Sequence, residues 1–252
     1  MIDTHAHIND EDLVERAEEI LSSPWLETVI VPGYDYESSR LAVELSKKFD
    51  KVYATVGCHP HDAEKFSKEE LEYYRSVAQD EKVVAIGEIG LDYYRDLSPR
   101  EVQKRVFEEQ ILLAHELSLP IVLHVRDAYA DTLEILKKHS DKLKNGVLLH
   151  CYSGSAELVR EFSKFDAYFA FGGAVTYKNA KKEDVLRAVS RDRLLLETDC
   201  PYMTPVPMRW KTAMNEPKFI QYTLSHVASV LGVDEEELEK TVDQNAKRFF
   251  RI

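Results

Sequence analysis

The sequence predicts one (β/α)8 barrel of the TIM type, a single domain over residues 1–252. Three observations carry that prediction. Short apolar runs alternate with amphipathic helical stretches at fairly even spacing, giving eight β-then-α units. Several runs are apolar without clean alternation, as in strands covered on both faces. No Pro- or Ser-rich linker, low-complexity tract or longer repeat divides the chain. With 252 residues and 44% hydrophobic content there is material for one sizeable core. Periodicity does not show closure, so an open doubly wound sheet is the alternative. The lack of a Gly-rich phosphate fingerprint after the first strand weakens it.

Strands are expected at Ile2–His5, Thr28–Pro32, Val52–Cys58, Val83–Glu88, Ile121–Val125, Val147–Cys151, Tyr168–Gly172 and Leu194–Asp199. Helical periodicity covers Asp10–Leu21, Glu37–Phe49, Lys68–Gln79, Pro99–Leu117, Ala130–Lys138, Ala156–Lys164, Lys182–Val189, Glu216–Leu231 and Glu235–Phe249. Ser98-Pro99-Arg100-Glu101 reads as a capping box, with Ser at the cap and Pro at the first helical position. Asp234 is the expected cap of the last helix, ahead of an acidic first turn.

A net charge of -12 argues against a protein that coats nucleic acid by bulk attraction, so any basic footprint is local. Three cysteines do not make a disulfide framework, which points to a reducing compartment. Met1-Ile2-Asp3-Thr4-His5 lacks the basic start and apolar run of a signal peptide, and no stretch approaches bilayer-spanning length. A cytoplasmic protein is expected, with no membrane association and no feature demanding an obligate protein partner.

Histidines and acids gather at the C-terminal ends of these strands, the face on which barrel enzymes build their sites. Strand one ends in His5-Ala6-His7 and strand three in His59-Pro60-His61. Strand four ends in Glu88 and, beyond it, Asp92. His124 and His150 end strands five and six, and Asp199 ends strand eight. Two histidines separated by one residue on a strand point to the same side, so His5 and His7 can converge on one ion while Ala6 packs away. Imidazoles mixed with carboxylates suit Zn, Mn, Fe or Co. Four histidines plus Glu88 and Asp199 exceed what one tetrahedral ion needs, which favours two ions sharing a carboxylate.

Taken singly, each residue has a plainer reading. A lone His-x-His is more often coincidence than a ligand pair, and a single strand-end His or Glu is more often a satisfied polar group. Co-location of six ligand-type residues at five strand ends changes that balance. His59 and His61 are candidate ligands, partners of ligands or phosphate contacts. His115, His139 and His226 fall in helical patterns and are expected to pack or face solvent. Cys58, Cys151 and Cys200 adjoin candidate residues and, by alternation, are expected to pack rather than ligate.

These segments closely resemble the TatD family of metal-dependent hydrolases in the amidohydrolase superfamily. The matching motifs are Asp3-Thr4-His5-Ala6-His7, Gly57-Cys58-His59-Pro60-His61 and Ala85-Ile86-Gly87-Glu88-Ile89-Gly90-Leu91-Asp92. Further along are Leu123-His124-Val125-Arg126-Asp127-Ala128, Leu149-His150-Cys151-Tyr152-Ser153-Gly154, Leu196-Glu197-Thr198-Asp199-Cys200-Pro201-Tyr202 and Asn215-Glu216-Pro217. They span essentially the whole chain in order.

The resemblance implies a divalent-metal-dependent deoxyribonuclease, a 3′-to-5′ exonuclease on single-stranded DNA and potentially RNA. It implies one ion held by His5, His7 and Asp199, another by His124 and His150, and Glu88 bridging them. His59 resembles the family histidine placed near the substrate phosphate. The two ions are Mg, Mn or Zn. A water activated between them is expected to attack phosphorus, with Asp199 orienting it and taking its proton, so Asp199, Glu88 and His59 are the catalytic candidates.

Substrate contacts are expected from His59, His61, Arg126, Tyr152 and Arg209. Tyr93-Tyr94-Arg95, Tyr177-Lys178-Asn179 and Arg209-Trp210-Lys211 add loops able to stack a base and hold a phosphate. Two rivals stand beside this reading. One is a hydrolase of a small amide, lactone or phosphoester on the same barrel. The other is a non-catalytic binding barrel, which the intact ligand set disfavours.

Overall fold

A computed structural model describes residues 1–252. β1 (Ile2–Asp3), β2 (Thr28–Pro32), β3 (Val52–Val56), β4 (Val83–Asp92), β5 (Ile121–Arg126), β6 (Val147–Leu149), β7 (Tyr168–Phe171) and β8 (Leu194–Leu196) lie side by side in chain order, every pair parallel. Between β8 and β1, Thr4 N–H donates to the Leu196 carbonyl at 3.3 Å and Asp199 N–H to that of His5 at 2.8 Å, while His7 N–H reaches Cys200 O at 2.9 Å. These bonds close the seam, so the sheet is a barrel and not an open layer.

The helices α1 (Ala17–Leu21), α2 (Tyr36–Lys48), α3 (Lys68–Val77), α4 (Arg100–Leu117), α5 (Tyr129–Lys138), α6 (Ala156–Phe162), α7 (Glu183–Ala188), α8 (Ile220–Leu231) and α9 (Glu235–Phe250) form the outer ring. Several of their starts are fixed locally. Asp35 and Ser67 make capping boxes with Ser38 and Glu70, and Asp234 accepts from the amides of Glu236 and Glu237 as expected.

Two differences from the sequence expectation have clear causes. Ser98 does not cap α4: Pro99 takes that place without a side-chain bond. The Ser98 hydroxyl instead donates to His61 O at 2.8 Å and accepts from Glu64 N–H at 3.1 Å, pinning the short 3-10 run Pro60–Lys65 that carries His61. The stretch Asp10–Leu21 is a helix only from Ala17, preceded by a 3-10 turn at Val14–Arg16, because Asp10 directs a turn through its own side chain onto Asp12 N–H.

Apolar side chains fill two regions. The larger lies between the strands and the helical ring. The smaller takes Ile2, Ile30, Val122, Leu148 and Leu195 from five different strands and so occupies the barrel interior, where Phe249 and Phe250 of α9 close its floor. Ile2 N–H donates to Asp243 Oδ1 at 2.7 Å, tying β1 to that helix. With its floor sealed, the barrel offers chemistry only at the opposite end, where the strands stop and the polar side chains begin.

Candidate metal centre

The ladder of β1 ends at Asp3, yet the alternation continues past it. Ala6 is fully buried in the outer core, and His5 and His7 turn inward with their Nε2 atoms 3.2 Å apart. Both nitrogens approach Asp199 Oδ1, at 3.8 and 3.4 Å. Asp199 sits beyond the end of β8 at φ 54°, a left-handed turn that brings its carboxylate back over the barrel mouth.

Glu88 stands in the middle. Its place on β4 is where the register with β5 slips, between Ile86 and Ile89. Gly87 and Gly90 permit that slip: a Cβ at Gly87 would stand 2.6 Å from Val122 Cβ, and one at Gly90, φ +139°, would stand 2.1 Å from the His124 carbonyl.

The two oxygens of Glu88 face different partners. Oε2 lies 3.5 Å from His5 Nε2 and 3.9 Å from His7 Nε2. Oε1 lies 2.7 Å from His150 Nε2, 2.9 Å from His124 Nδ1 and 3.5 Å from His59 Nε2. All six expected ligands therefore meet in one cluster, and His59 joins them. Three overlapping trios are close enough to hold an ion: His5–His7–Asp199, His5–Glu88–His150 and His59–Glu88–His124.

Electrostatics favour a cation here. Burial alone pushes the Glu88 carboxyl up, but His150, His59 and His124 outweigh it and hold the group well below the ordinary carboxylate range. At Asp199 burial is likewise overcome, by His7, His150 and His5. Burial, with His150 or His124 alongside, pulls His5 and His59 down and keeps their lone pairs free. Burial also opposes charge on His150 and His124, yet Glu88 and Glu197 lift the former, and Asp92 and Glu88 the latter. Ionised carboxylates and imidazole nitrogens converging at the buried floor of a pocket are the donor set of a divalent metal site.

Two residues without an assigned role stand behind this cluster. Asp92 Oδ2 lies 3.1 Å from His124 Nε2 and 2.8 Å from His61 Nε2, while its Oδ1 accepts from the amides of Tyr94 and Arg95 at 2.9 and 2.8 Å. His61 is thus turned toward Asp92 rather than Glu88. The available signal was spacing, since Asp92 lies four residues after Glu88 on the same face of β4. Glu197 accepts from Cys151 N–H at 2.5 Å and lies 3.8 Å from His150 Nδ1, with Oε2 buried and unpartnered.

The remaining residues divide. Cys58 and Cys200 are buried as expected, but Cys151, at φ 43°, faces the cavity with Sγ 3.7 Å from Met203 Sδ. The strand stops two residues earlier, so alternation no longer governs it. Tyr152 touches the cavity, but its ring packs on Tyr129 and Phe169 and its hydroxyl donates to Ser155 O. It supplies wall, not a free polar group. His139 pairs with Glu108 at 2.9 Å, away from the cluster.

Over the cluster opens a cavity of about 1180 Å³ that Arg126 and Arg209 also line. Within its lining, Arg95, Arg126, Lys178, Lys182 and Arg209 stand against two acids outside the cluster, Asp62 and Asp92. The local basic footprint is therefore present despite the overall negative charge.

Barrel and cluster together are those of a metal-dependent hydrolase. Residues 2–251 match the family of TatD related DNases, and the chain belongs to that family. It is 43% identical over 256 residues, spanning 100% of this chain and 99% of the relative, to the "uncharacterized metal-dependent hydrolase YabD" of Bacillus subtilis. With the "3'-5' ssDNA/RNA exonuclease TatD" of Cronobacter sakazakii it shares 38% over 226 residues, 88% of this chain and 86% of that one.

Among solved structures, YJJV, a TatD homolog from Escherichia coli, superposes with a TM-score of 0.92 at 29% identity, covering 100% and 98% of the two chains. A phosphotriesterase homology protein from Escherichia coli, at 15% identity and a TM-score of 0.68, covers 99% and 98% and shows the shared fold.

Proposed function

We propose that this chain is a 3′-to-5′ exonuclease on single-stranded DNA, with RNA a second substrate, acting with two divalent ions drawn from Mg, Mn and Zn. The supporting observation is the division of Glu88: Oε2 faces His5 and His7, and Oε1 faces His150 and His124. His5, His7 and Asp199 would hold one ion, His124 and His150 the other, with Glu88 between them. Bound there, such ions neutralise phosphodiester charge and bring the pKa of a water to about 7.

The protein does the rest. Asp199, ionised at the cluster's edge, orients the attacking water and takes its proton on the carboxylate. His59, whose proton affinity is low, faces a non-bridging oxygen or the leaving group. Arg126 and Arg209 meet flanking phosphates from the rim. A small amide or lactone would need far less room than about 1180 Å³ and no basic lining, and a small phosphoester would need less room, which favours the polynucleotide.

The test is to load the protein with each metal, add end-labelled single-stranded DNA or RNA, and resolve products over time. Stepwise loss of 3′ mononucleotides is expected, abolished in Glu88→Gln and Asp199→Asn. Intact strands with Mg, Mn and Zn would move the assignment to the small-molecule hydrolase. Near-normal turnover in both variants would remove Glu88 and Asp199 from the mechanism.

A further inference from the structure

Two arginines on the cavity rim are held against aromatic rings instead of carboxylates. Arg126 Cζ lies 3.8 Å from the ring centre of Tyr94. Arg209 Cζ lies between Tyr177 at 4.1 Å and Trp210 at 5.2 Å. On the outer helices the pattern is different: Arg40 and Arg75 pair with acids, and Arg100, though it lies over Tyr93, is also held by Asp96. A stacked guanidinium keeps its in-plane N–H groups available for phosphate oxygens, while the ring beneath it is fixed in orientation.

The free faces of these rings are open. Tyr94 is 62% exposed and Trp210 82% exposed, each far beyond what a ring used for packing shows. Tyr94 follows β4 and Arg126 ends β5, whereas Tyr177 follows β7 and Trp210 follows β8. In an eight-stranded barrel of order β1 to β8, β4 and β8 stand across the mouth from each other. The two aromatic–arginine pairs therefore flank the metal cluster from opposite sides.

We propose that Tyr94–Arg126 and Trp210–Arg209 are two base-stacking platforms, each taking one unpaired nucleobase of a strand drawn across the mouth. Trp210 is the dominant one. The arginines grip the phosphates adjoining those bases, and the chain between them passes over the cluster. This inference rests on the nuclease reading and adds what selects a single strand. A base inside a duplex has both faces covered by its stacked neighbours and cannot lie on a protein ring, so a duplex cannot be drawn across both platforms.

The experiment uses the metal-loaded protein and oligothymidylate with phosphorothioate linkages that slow hydrolysis. The chain has two tryptophans, so Trp25→Phe leaves Trp210 as the sole reporter. Its emission should be quenched saturably by the single strand, and roughly tenfold more weakly by the same strand annealed to a complement or carrying abasic sites. In steady-state cleavage of an ordinary oligonucleotide, Trp210→Ala should raise KM roughly tenfold, and Trp210→Phe should restore most of the loss.

Equal affinity for abasic and base-bearing strands, or an unchanged KM in Trp210→Ala, overturns the platforms while strand degradation leaves the nuclease standing. Failure of the wild-type protein to degrade any strand takes both down together.

Discussion

Replacing Asp92 by asparagine should weaken metal binding without touching any proposed ligand. Asp92 Oδ1 accepts from the amides of Tyr94 and Arg95, so the carboxamide oxygen must take that position. The new NH2 then faces His124 Nε2 and His61 Nε2, where Oδ2 stood at 3.1 and 2.8 Å. Facing a donor, His124 must present Nε2 as acceptor and carry its proton on Nδ1, the atom 2.9 Å from Glu88 Oε1. The lone pair meant for the ion is lost unless the histidine pays to switch tautomer.

Losing such a carboxylate–histidine contact typically costs 10–100-fold in metal affinity, or about 1.4–2.7 kcal/mol. The assay is competition for Zn or Mn against a chelator of known affinity, with the 15N shifts of His124 reporting the tautomer and circular dichroism reporting the fold. Affinity within about twofold of wild type, with the His124 proton still on Nε2, would refute the reasoning. Loss of affinity in a properly folded variant with the proton moved to Nδ1 would support it.

Two further outcomes test the scaffold. Gly90→Ala should destabilise the protein by about 3 kcal/mol in urea, because its Cβ would meet the His124 carbonyl at 2.1 Å on a backbone at φ +139°; a change under about 0.5 kcal/mol would mean that β4 and β5 can part freely there. For Asp3, burial pushes the carboxyl up to about 8 against bonds from Thr198 and His5. A raised acid pKa stabilises the fold fully below the unfolded value of about 4 and loses that contribution as pH rises through about 8. The stability difference between metal-free wild type and Asp3→Asn should therefore tilt against wild type with rising pH, by at most about 1.4 kcal/mol per unit; a flat difference across that window would contradict it.

The barrel was legible because its strands, buried on both faces, betray themselves as apolar runs, and the helices between them keep their periodicity. Strand ends were less so. Val147–Leu149 and Leu194–Leu196 end short of the expected Cys151 and Asp199, because the chain turns left-handed at those two residues to aim side chains over the mouth. Such turns have no one-residue signature. The six metal-site candidates were found by residue type and place. Asp92 and Glu197 were passed over because a carboxylate that orients a histidine looks, in sequence, like any other acid. Ser98 misled because its hydroxyl serves a neighbouring segment, a choice set by tertiary proximity alone.

The seam between β1 and β8 has a consequence for assembly. Thr4 and Leu196, 192 positions apart, must meet before His5 and His7 can face Asp199. A ribosome-bound chain that has already formed β1 to β7 thus holds only part of the donor set, with its first two histidines unanchored. Completion of the His5–His7–Asp199 trio is therefore deferred until this long-range contact has formed, whereas the His59–Glu88–His124 trio does not depend on it. Until then the two histidines after β1 lack the carboxylate that faces them in the finished barrel.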